Sequence, residues 1–335
     1  MGYLNEGHWS RQAPPAVKNQ GQFVREESRF RHWVTADGSP GPTGEGGFRA
    51  EPGRYHLYIA RACPWAHRAM IFRTLKGLEH IIDYSVVHWL MGEDGWTFEP
   101  APGVTGDKLH GSRFLYQLYQ RADATVTGRS TVPVLWDRER DTIVSNESAD
   151  IIRMFNTAFD GVGAKLGDYY PGPLHEDIDA VNARVYDTLN NGVYKAGFAT
   201  TQEAYELAIG PLFDTLDWLE ERLADRPWLC GEVQTEADWR LFTTLLRFDL
   251  VYHGHFKCNV RRLVDYPRLW EYTRAMYQQP GIAQTVDIEH IKKHYYMSHR
   301  QINPTGIVPV GPDIDLAAPT EWGRPRVVVD FGQPA

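Results

Sequence analysis

The sequence predicts an α/β domain followed by an all-helical domain. Strand-like and helix-like segments alternate between residues 55 and 160, whereas nearly every segment from 174 to 298 has the 3.6-residue periodicity of an amphipathic helix. At 335 residues the chain has room for two such cores. Gly and Pro concentrate in 37–47 and again after 299, which predicts irregular chain at both ends.

The first of these parts is predicted to have the element order of a thioredoxin-like domain. Hydrophobic patterning predicts four strands, at 55–60, 81–89, 130–137 and 142–148. It also predicts two helices, at 64–78 and 147–159. The order is therefore β-α-β followed by β-β-α. A long insertion at about 90–129 separates the two halves.

The second part is predicted to consist of helices. Helical periodicity is present in the segments 178–198, 203–223, 236–252 and 266–278. "TEAD" has the form of a capping box, in which Thr235 caps a helix and Asp238 reaches back to it. The predicted division of the chain is 1–54, mostly loop; 55–160, thioredoxin-like; 174–298, helical; and 299–335, a tail.

The composition argues against several classes of partner. The net charge is −8 and no run of Lys or Arg occurs, which argues against nucleic acid and anionic membrane surfaces. No apolar run approaches the roughly 18 residues of a membrane span. The N-terminus lacks the apolar core of a secretion signal, and three cysteines in such a chain indicate a reducing compartment. We therefore expect a cytoplasmic protein.

No metal or nucleotide site is predicted. The 3 Cys and 13 His lack the spacing of zinc ligands. The Gly-rich stretch "DGSPGPTGEGG" is not a phosphate-binding loop, because Gly-Lys-Ser/Thr does not follow it at the required spacing. We therefore expect neither a metal nor a nucleotide cofactor.

The stretch "YIARACPWAHRAM" places one cysteine between a predicted strand and a predicted helix. If Cys63 is the N-cap, Pro64 takes the first helical position, where its missing N–H costs nothing. The thiolate would then face the positive end of the helix dipole and unpaired backbone N–H groups, which lower the pKa of a cysteine. Cys63 is therefore the predicted nucleophile, whereas Cys230 and Cys258 are predicted to be structural.

The chemistry predicted for Cys63 is monothiol. A dithiol oxidoreductase carries Cys-x-x-Cys, but the fourth position of "CPWA" is Ala66. A mixed disulfide on Cys63 cannot close internally and must be released by an external thiol, for which glutathione is the expected reductant. His67, on the same predicted helix, is expected to be exposed.

Two further motifs stand where a thioredoxin-like domain binds a peptide. In "TVPVL", a cis bond before Pro133 would turn Val132 so that its N–H and C=O pair with an extended peptide. In "NESAD", Glu147 and Ser148 open a helix. Ser148 and the helix N-terminus can bind a carboxylate, and Glu147 can bind an amine. The α-carboxylate and α-amine of a γ-glutamyl group fit this pair.

With the all-helical second part, these motifs resemble the glutathione transferases. The segments "ACPWAHR", "GWTF", "TVPVLWD", "SNESADIIRMFN", "NNGVYKAGFA", "HFKCN" and "INPTGI" look like the glutathionyl-hydroquinone reductases, the Xi class of that superfamily. The match spans nearly the whole chain, including the extended N-terminus and the C-terminal tail. The resemblance implies a glutathione-transferase fold and a homodimer.

The resemblance also implies a reaction. In that family the motif cysteine attacks the glutathionyl sulfur of a glutathionyl-hydroquinone, and the hydroquinone leaves. A second glutathione, acting as co-substrate, then releases the mixed disulfide as oxidised glutathione. Carried over by motif, the glutathione-binding residues are Trp96, Arg129, Val132, Glu147 and Ser148. The resemblance implies that the tyrosines of the aromatic-substrate pocket, Tyr194, Tyr252 and Tyr295, are catalytic with Cys63, since a phenolic hydroxyl can hydrogen-bond a quinol oxygen and donate a proton as the aryl group departs.

The sequence leaves alternatives open. An omega-like thioltransferase or dehydroascorbate reductase also uses a monothiol cysteine, and a non-catalytic member would bind glutathione conjugates. The three tyrosines and the long insertion favour the hydroquinone reductase. The intact Cys63, Glu147 and Ser148 argue against a non-catalytic protein. Tyr296, adjacent to Tyr295, could equally face the substrate.

Overall fold

The computed structural model describes residues 2–12 and 19–322. Its strands are β1 (Tyr3–Asn5), β2 (His8–Ser10), β3 (Tyr55–Ile59), β4 (Asp83–Val86), β5 (Val134–Asp137) and β6 (Thr142–Ser145). Its α-helices are α1 (Pro64–Leu75), α2 (Tyr116–Ala122), α3 (Ser148–Thr157), α4 (His175–Val185), α5 (Gly192–Gly197), α6 (Gln202–Arg222), α7 (Glu236–Arg247), α8 (His253–His255), α9 (Pro267–Tyr277) and α10 (Ile288–Ser298).

Four strands form one mixed sheet in the order β4-β3-β5-β6. Strand β3 runs parallel to β4 and antiparallel to β5, and β5 is antiparallel to β6. All five residues of β3 are buried, which explains why its sequence is apolar or aromatic at nearly every position. With α1 after β3 and α3 after β6, the sheet has the predicted thioredoxin-like order.

A short hairpin of two strands and a short helix were not predicted. Strands β1 and β2 form a hairpin in the stretch expected to be mostly loop, and α2 lies inside the stretch expected to be an insertion. A segment distant in sequence fixes the hairpin, because Leu4 and Gly128 exchange two backbone hydrogen bonds of 2.9 Å. Three-residue strands fixed by a distant segment leave no periodic signal in the sequence.

Helices α4 to α10 form the second part of the fold. Helix α7 is buried along its whole length, and its capping box is formed as predicted. The carboxylate of Asp238 accepts a hydrogen bond of 2.8 Å from the N–H of Thr235. Segments with the wider π-helical turn follow α4 and α7, at Tyr186–Asn190 and Phe248–Tyr252.

The segment 19–32, here called the N-terminal strap, crosses the junction between the helices and the sheet. At one end the carbonyl of Gly21 accepts from the N–H of Thr200, at 3.0 Å. At the other end the N–H of His32 donates to the carbonyl of Val144 in β6, at 2.9 Å. The strap therefore contacts both parts of the fold.

Among the described helices, none combines the length and the apolar character needed to cross a membrane.

Candidate active site

A cleft between the sheet and the helices contains two adjoining cavities. The larger, of about 420 Å³, is called the polar cavity because charged side chains such as Glu147 and Arg129 line it. The smaller, of about 180 Å³, is called the aromatic cavity and contains Cys63, Trp96 and Tyr194 in its wall. The residues common to both walls are Phe23, Arg25, Trp65, Arg129, Thr131 and Val132.

Cys63 has the predicted position at the start of α1. It is the N-cap, with an extended backbone (φ −74°, ψ 123°), and Pro64 is the first helical residue. Its Sγ is 3.6 Å from the carbonyl oxygen of Val132, to which the thiol donates. Cys230 and Cys258 are buried as expected, whereas Cys63 is only partly covered.

The expectation of a lowered pKa for Cys63 is wrong for the ligand-free protein. Burial raises the pKa of the thiol above its ordinary value. The backbone N–H of Ala66, the guanidinium of Arg247, the N–H of Trp65 and the guanidinium of Arg25 act in the opposite direction. The sequence identified the helix terminus but could not show how far the surrounding fold removes water from the sulfur.

Arg247, the last residue of α7, is a fully buried cation behind Cys63. Its Nε donates to the carbonyl of Ala62 at 2.8 Å, and its Nη2 donates to the carbonyl of Arg61 at 3.1 Å. Its Nη1 donates to the carbonyl of Thr243 at 2.8 Å. The guanidinium thus fixes the two residues that precede the nucleophile and leaves its positive charge close to the thiol.

His67 is buried, so the expectation of an exposed residue was wrong. Helix α1 packs against α7, and His67 lies at that contact. Its Nδ1 accepts from Nη1 of Arg247 at 3.2 Å, and its Nε2 donates to the hydroxyl of Thr285 at 2.7 Å. Burial and Arg247 hold its pKa well below the ordinary value, so His67 is a neutral link in this network.

The Val132–Pro133 peptide bond is cis, as the sequence predicted. Val132 lines both cavities, and its carbonyl faces the thiol of Cys63. Its N–H has no hydrogen-bond partner among the described residues. A backbone donor is therefore available at the edge of the cleft for an extended ligand.

The start of α3 lies at the wall of the polar cavity. Glu147 is the N-cap, and its Oε1 accepts from the N–H of Ala149 at 3.0 Å. Its Oε2 accepts from the hydroxyl of Ser28, in the N-terminal strap, at 3.0 Å. Ser148 is buried and lines the same cavity. The carboxylate, hydroxyl and helix N-terminus together offer partners for both an amine and a carboxylate.

Arg129 and Trp96 both line the aromatic cavity but offer different contacts to a ligand. Arg129 is exposed, lines both cavities, and has its Nε 3.7 Å from a carboxylate oxygen of Glu26. Trp96 is buried in the wall of the aromatic cavity and stacks on His294, with ring centres 4.7 Å apart. Arg129 offers charge to a ligand, and Trp96 offers an aromatic surface.

The three predicted tyrosines meet through their hydroxyl groups. The hydroxyl oxygen of Tyr295 is 2.6 Å from that of Tyr194 and 3.0 Å from that of Tyr252. Tyr194 and Tyr295 line the aromatic cavity, whereas Tyr252 is fully buried behind them. Tyr296 packs against His255, 4.8 Å between ring centres, and lines neither cavity. Tyr295 is therefore the residue of the pair that faces the cleft.

Sequence reasoning missed several residues of the cleft. Phe23 and Arg25 reach it from the N-terminal strap, and His294 and His299 reach it from the end of α10 and just beyond. No motif marks them, because they approach the cysteine only through the folding of segments far apart in sequence. Arg247 was missed for the same reason.

The site combines a single thiol with polar and aromatic subsites. No group of three or more His, Cys, Asp or Glu that could hold a metal ion occurs in the described ranges 2–12 and 19–322. Cys63, whose thiol can act as a nucleophile, and two tyrosines that carry hydroxyl donors, Tyr194 and Tyr295, line the same aromatic cavity. This arrangement suits attack on the sulfur of a thioether or disulfide whose other half is aromatic.

Family models identify both halves of the fold. Residues 62–158 match the model described as the N-terminal domain of glutathione S-transferases, and residues 202–275 match the C-terminal domain of the same family. Together these matches cover more than half of the chain.

Individual relatives match over almost the full length. The chain is 57% identical to glutathionyl-hydroquinone reductase YqjG of Escherichia coli K12, over 95% of this chain and 98% of the relative. It is 55% identical to glutathionyl-hydroquinone reductase PcpF of Sphingobium chlorophenolicum, over 93% and 96%.

Solved structures agree. The glutathione-bound structure of YqjG superposes with a TM-score of 0.90, at 55% identity, covering 96% of this chain and 99% of that one. A Xi-class glutathione transferase from Natrialba magadii superposes with a TM-score of 0.88, at 46% identity, covering 96% of each chain.

Proposed function

The chain belongs to the glutathione S-transferase family and, within it, to the Xi-class glutathionyl-hydroquinone reductases, and we propose that it reduces glutathionyl-hydroquinones to hydroquinones with glutathione as co-substrate. The observation that carries the proposal is the place of Cys63. Its thiol opens into the aromatic cavity, and both other cysteines are buried. A single thiol beside an aromatic subsite favours transfer of a glutathionyl group to the enzyme.

The first step is attack by the Cys63 thiolate on the sulfur that joins glutathione to the aromatic ring. A sulfur–sulfur bond forms, and the bond between sulfur and the ring carbon breaks. The electron pair of that bond goes to the ring carbon, which takes up a proton. The products of this step are hydroquinone and a mixed disulfide between Cys63 and glutathione.

The tyrosine cluster is the proposed source of hydrogen bonds and of that proton. Tyr194 and Tyr295 present hydroxyl groups to the cavity, and Tyr252 holds Tyr295 from behind. Burial raises the pKa of all three hydroxyl groups, which keeps them protonated at neutral pH. A protonated phenol can donate to the oxygen of the hydroquinone and serve as general acid.

The glutathionyl group of the substrate is proposed to lie along the polar cavity. Its γ-glutamyl carboxylate would meet Ser148 and the N-terminus of α3, and its amine would meet Glu147. The backbone of Val132 would pair with the extended peptide. Arg129 would bind a carboxylate, and Trp96 would pack against the ligand at the aromatic side.

The second step returns the enzyme to its starting state. The thiolate of a second glutathione attacks the glutathionyl sulfur, and the bond between that sulfur and Cys63 breaks. The electron pair returns to Cys63 as a thiolate, and oxidised glutathione leaves. Because this step needs reduced glutathione, we also propose a reducing, cytoplasmic location. We propose a homodimer on the family resemblance, to be tested by light scattering.

A turnover assay tests the proposal. Wild type, Cys63→Ser and Cys258→Ser are each given a glutathionyl-hydroquinone with glutathione, and free hydroquinone and oxidised glutathione are followed. Wild type and Cys258→Ser should release hydroquinone and oxidised glutathione in equal amounts. Cys63→Ser should release neither product. Absence of turnover by wild type, with turnover of dehydroascorbate instead, would replace the proposal by the thioltransferase alternative.

A further inference from the structure

Arg25 is a cation at the wall common to the two cavities, brought there by the N-terminal strap. Its Nε donates to the amide oxygen of Asn191 at 2.7 Å. The guanidinium lies over the rings of Trp65 and Tyr194, 4.8 and 4.9 Å from their centres. These contacts fix the plane of the guanidinium, and no carboxylate of the described residues pairs with it.

The aromatic cavity has no acidic side chain among the described residues that line it. Its cations are Arg25 and Arg129. Its histidines, His294 and His299, are uncharged at neutral pH, because burial lowers the pKa of His294 to about 4 and that of His299 well below its ordinary value. An anionic group that enters this cavity therefore meets guanidinium groups in its wall and, among the described residues that line it, no carboxylate.

The direction of attack places the second glutathione in the same cavity. This step rests on the function proposed above. In the first exchange, the attacking Cys63 and the departing ring stand on opposite sides of the glutathionyl sulfur. In the second exchange, the incoming sulfur must again stand opposite Cys63, because Cys63 is now the leaving group. The incoming thiol therefore takes the place that the hydroquinone has left.

We propose that Arg25 binds a carboxylate of the second glutathione as it enters the vacated aromatic cavity. In the proposed function Arg129 binds the glutathione held in the polar cavity, and its Nε lies 3.7 Å from a carboxylate oxygen of Glu26, so Arg25 is the cation left for the second glutathione. Arg25 is fixed by Asn191 and two aromatic rings, with its terminal N–H groups left for a ligand. It positions the incoming thiol in line with the mixed disulfide and takes no part in bond breaking.

The test isolates the second step by starting from the mixed disulfide. Enzyme is converted to the Cys63 mixed disulfide with oxidised glutathione, freed of excess reagent, and mixed with either glutathione or 2-mercaptoethanol. The rate at which free Cys63 returns is followed by intact mass after acid quench. Arg25→Gln is compared with wild type and with Arg226→Gln, a matched loss of one charge at a partly exposed arginine that lines neither cavity.

The expected loss of rate depends on which thiol, glutathione or 2-mercaptoethanol, releases Cys63. Arg25→Gln should slow release by glutathione about tenfold, the effect of losing a charge-assisted hydrogen bond. Release by 2-mercaptoethanol, which has no carboxylate, should stay within about twofold. Arg226→Gln should leave both rates within about twofold. Equal slowing with both thiols, or no slowing with glutathione, would overturn the inference.

Two controls keep the inference separate from folding and from the proposed function. Arg25→Lys keeps the charge, so if Arg25→Gln does not fold, the Lys variant should show a smaller slowing that is still confined to glutathione. Hydroquinone release without added glutathione reports the first step. If Arg25→Gln slows that release as much as it slows the second step, Arg25 serves the bound conjugate and the inference fails. A wild type that releases no hydroquinone would reject the proposed function only.

Discussion

At the scale of single residues, the hydroxyl group of Tyr295 links the other two tyrosines at the aromatic cavity. It bonds to both Tyr194 and Tyr252 and faces the cavity, whereas Tyr296 lies against His255. Neighbouring tyrosines on one helix thus have different surroundings, a distinction that sequence alone left open.

We predict that Tyr295→Phe lowers kcat/KM for a glutathionyl-hydroquinone by about 10²-fold, the usual contribution of one general acid. Tyr252→Phe should have a smaller effect, because Tyr252 lines neither cavity and acts through the hydroxyl groups of Tyr295 and Tyr194. Tyr296→Phe is the matched control and should stay within about twofold of wild type. Steady-state kinetics on the three variants measure these effects. A larger loss of kcat/KM in Tyr296→Phe than in Tyr295→Phe would contradict the placement of Tyr295 at the cavity.

Arg247 shows how a residue remote in sequence tunes the nucleophile. Its guanidinium fixes the carbonyls of Arg61 and Ala62, and its charge opposes the effect of burial on the pKa of Cys63. We predict that Arg247→Met shifts the alkylation of Cys63 by iodoacetamide to higher pH and slows it several-fold at pH 7, since only the thiolate reacts.

The same experiment has a matched control in Arg68. This arginine is also buried, lies over Trp65, and bonds to Asn190 and to the carbonyl of Arg240. Arg68→Met removes a buried charge without touching the residues before Cys63, so its pH profile should match wild type. An equal shift of the pH profile of Cys63 alkylation in both variants would show that Arg247 acts only through the stability of the fold. In the ligand-free wild type, burial predicts a midpoint above the ordinary value of about 8.5.

At the scale of elements, the helix N-termini are the parts of the site that short sequence motifs predict best. Cys63 with Pro64, and Glu147 with Ser148, are N-terminal signals that depend on a few adjacent residues. They could be predicted because helix capping is a local effect. The hairpin of β1 and β2, in contrast, depends on Gly128, more than a hundred residues away, and could not.

The capping box of α7 is predicted to be a major local contribution to stability. The carboxylate of Asp238 accepts from the N–H of Leu229, from the N–H and hydroxyl of Thr235, and from the hydroxyl of Tyr272, all at 2.8–3.0 Å. Asp238→Ala should lower the free energy of unfolding by about 3 kcal/mol, because it leaves buried donors without a partner.

Urea unfolding followed by circular dichroism measures this loss. Asp225→Ala is the control, since Asp225 is exposed and forms its ion pair with its neighbour Arg226. It should change the free energy of unfolding by no more than about 0.5 kcal/mol. Equal losses in the two variants would contradict the role given to Asp238.

At the scale of the whole molecule, the N-terminal strap completes the cleft. Phe23 packs near Phe198 and Tyr194, with ring centres 5.5 and 6.3 Å apart, and lines both cavities. We predict that Phe23→Ala raises KM for the aromatic conjugate about tenfold, because the ring loses a hydrophobic partner. Gln22→Ala, an exposed change on the same strap that lines neither cavity, should leave KM within about twofold. Equal KM values for the two variants would contradict this view of the strap.

The cleft also shows where prediction from sequence ends. The cysteine, the cis proline and the α3 start could be predicted because each is a short motif within one domain. Arg25, His67 and Arg247 could not, since the first comes from a segment without regular structure and the other two acquire their roles only where α1 meets α7. The boundaries of the domains at 54, 160 and 298 stay predictions. Of the predicted tail at 299–335, residues 323–335 lie outside the described residues.

The central claim is that Cys63 takes the glutathionyl group from the hydroquinone. The most direct measurement mixes the enzyme with one equivalent of a glutathionyl-hydroquinone, without free glutathione, and records the intact mass and the released hydroquinone. The account predicts one glutathionyl group on Cys63 for each hydroquinone released, and neither product from Cys63→Ser. Hydroquinone released without an adduct, or an adduct located on Cys230 or Cys258, would contradict it.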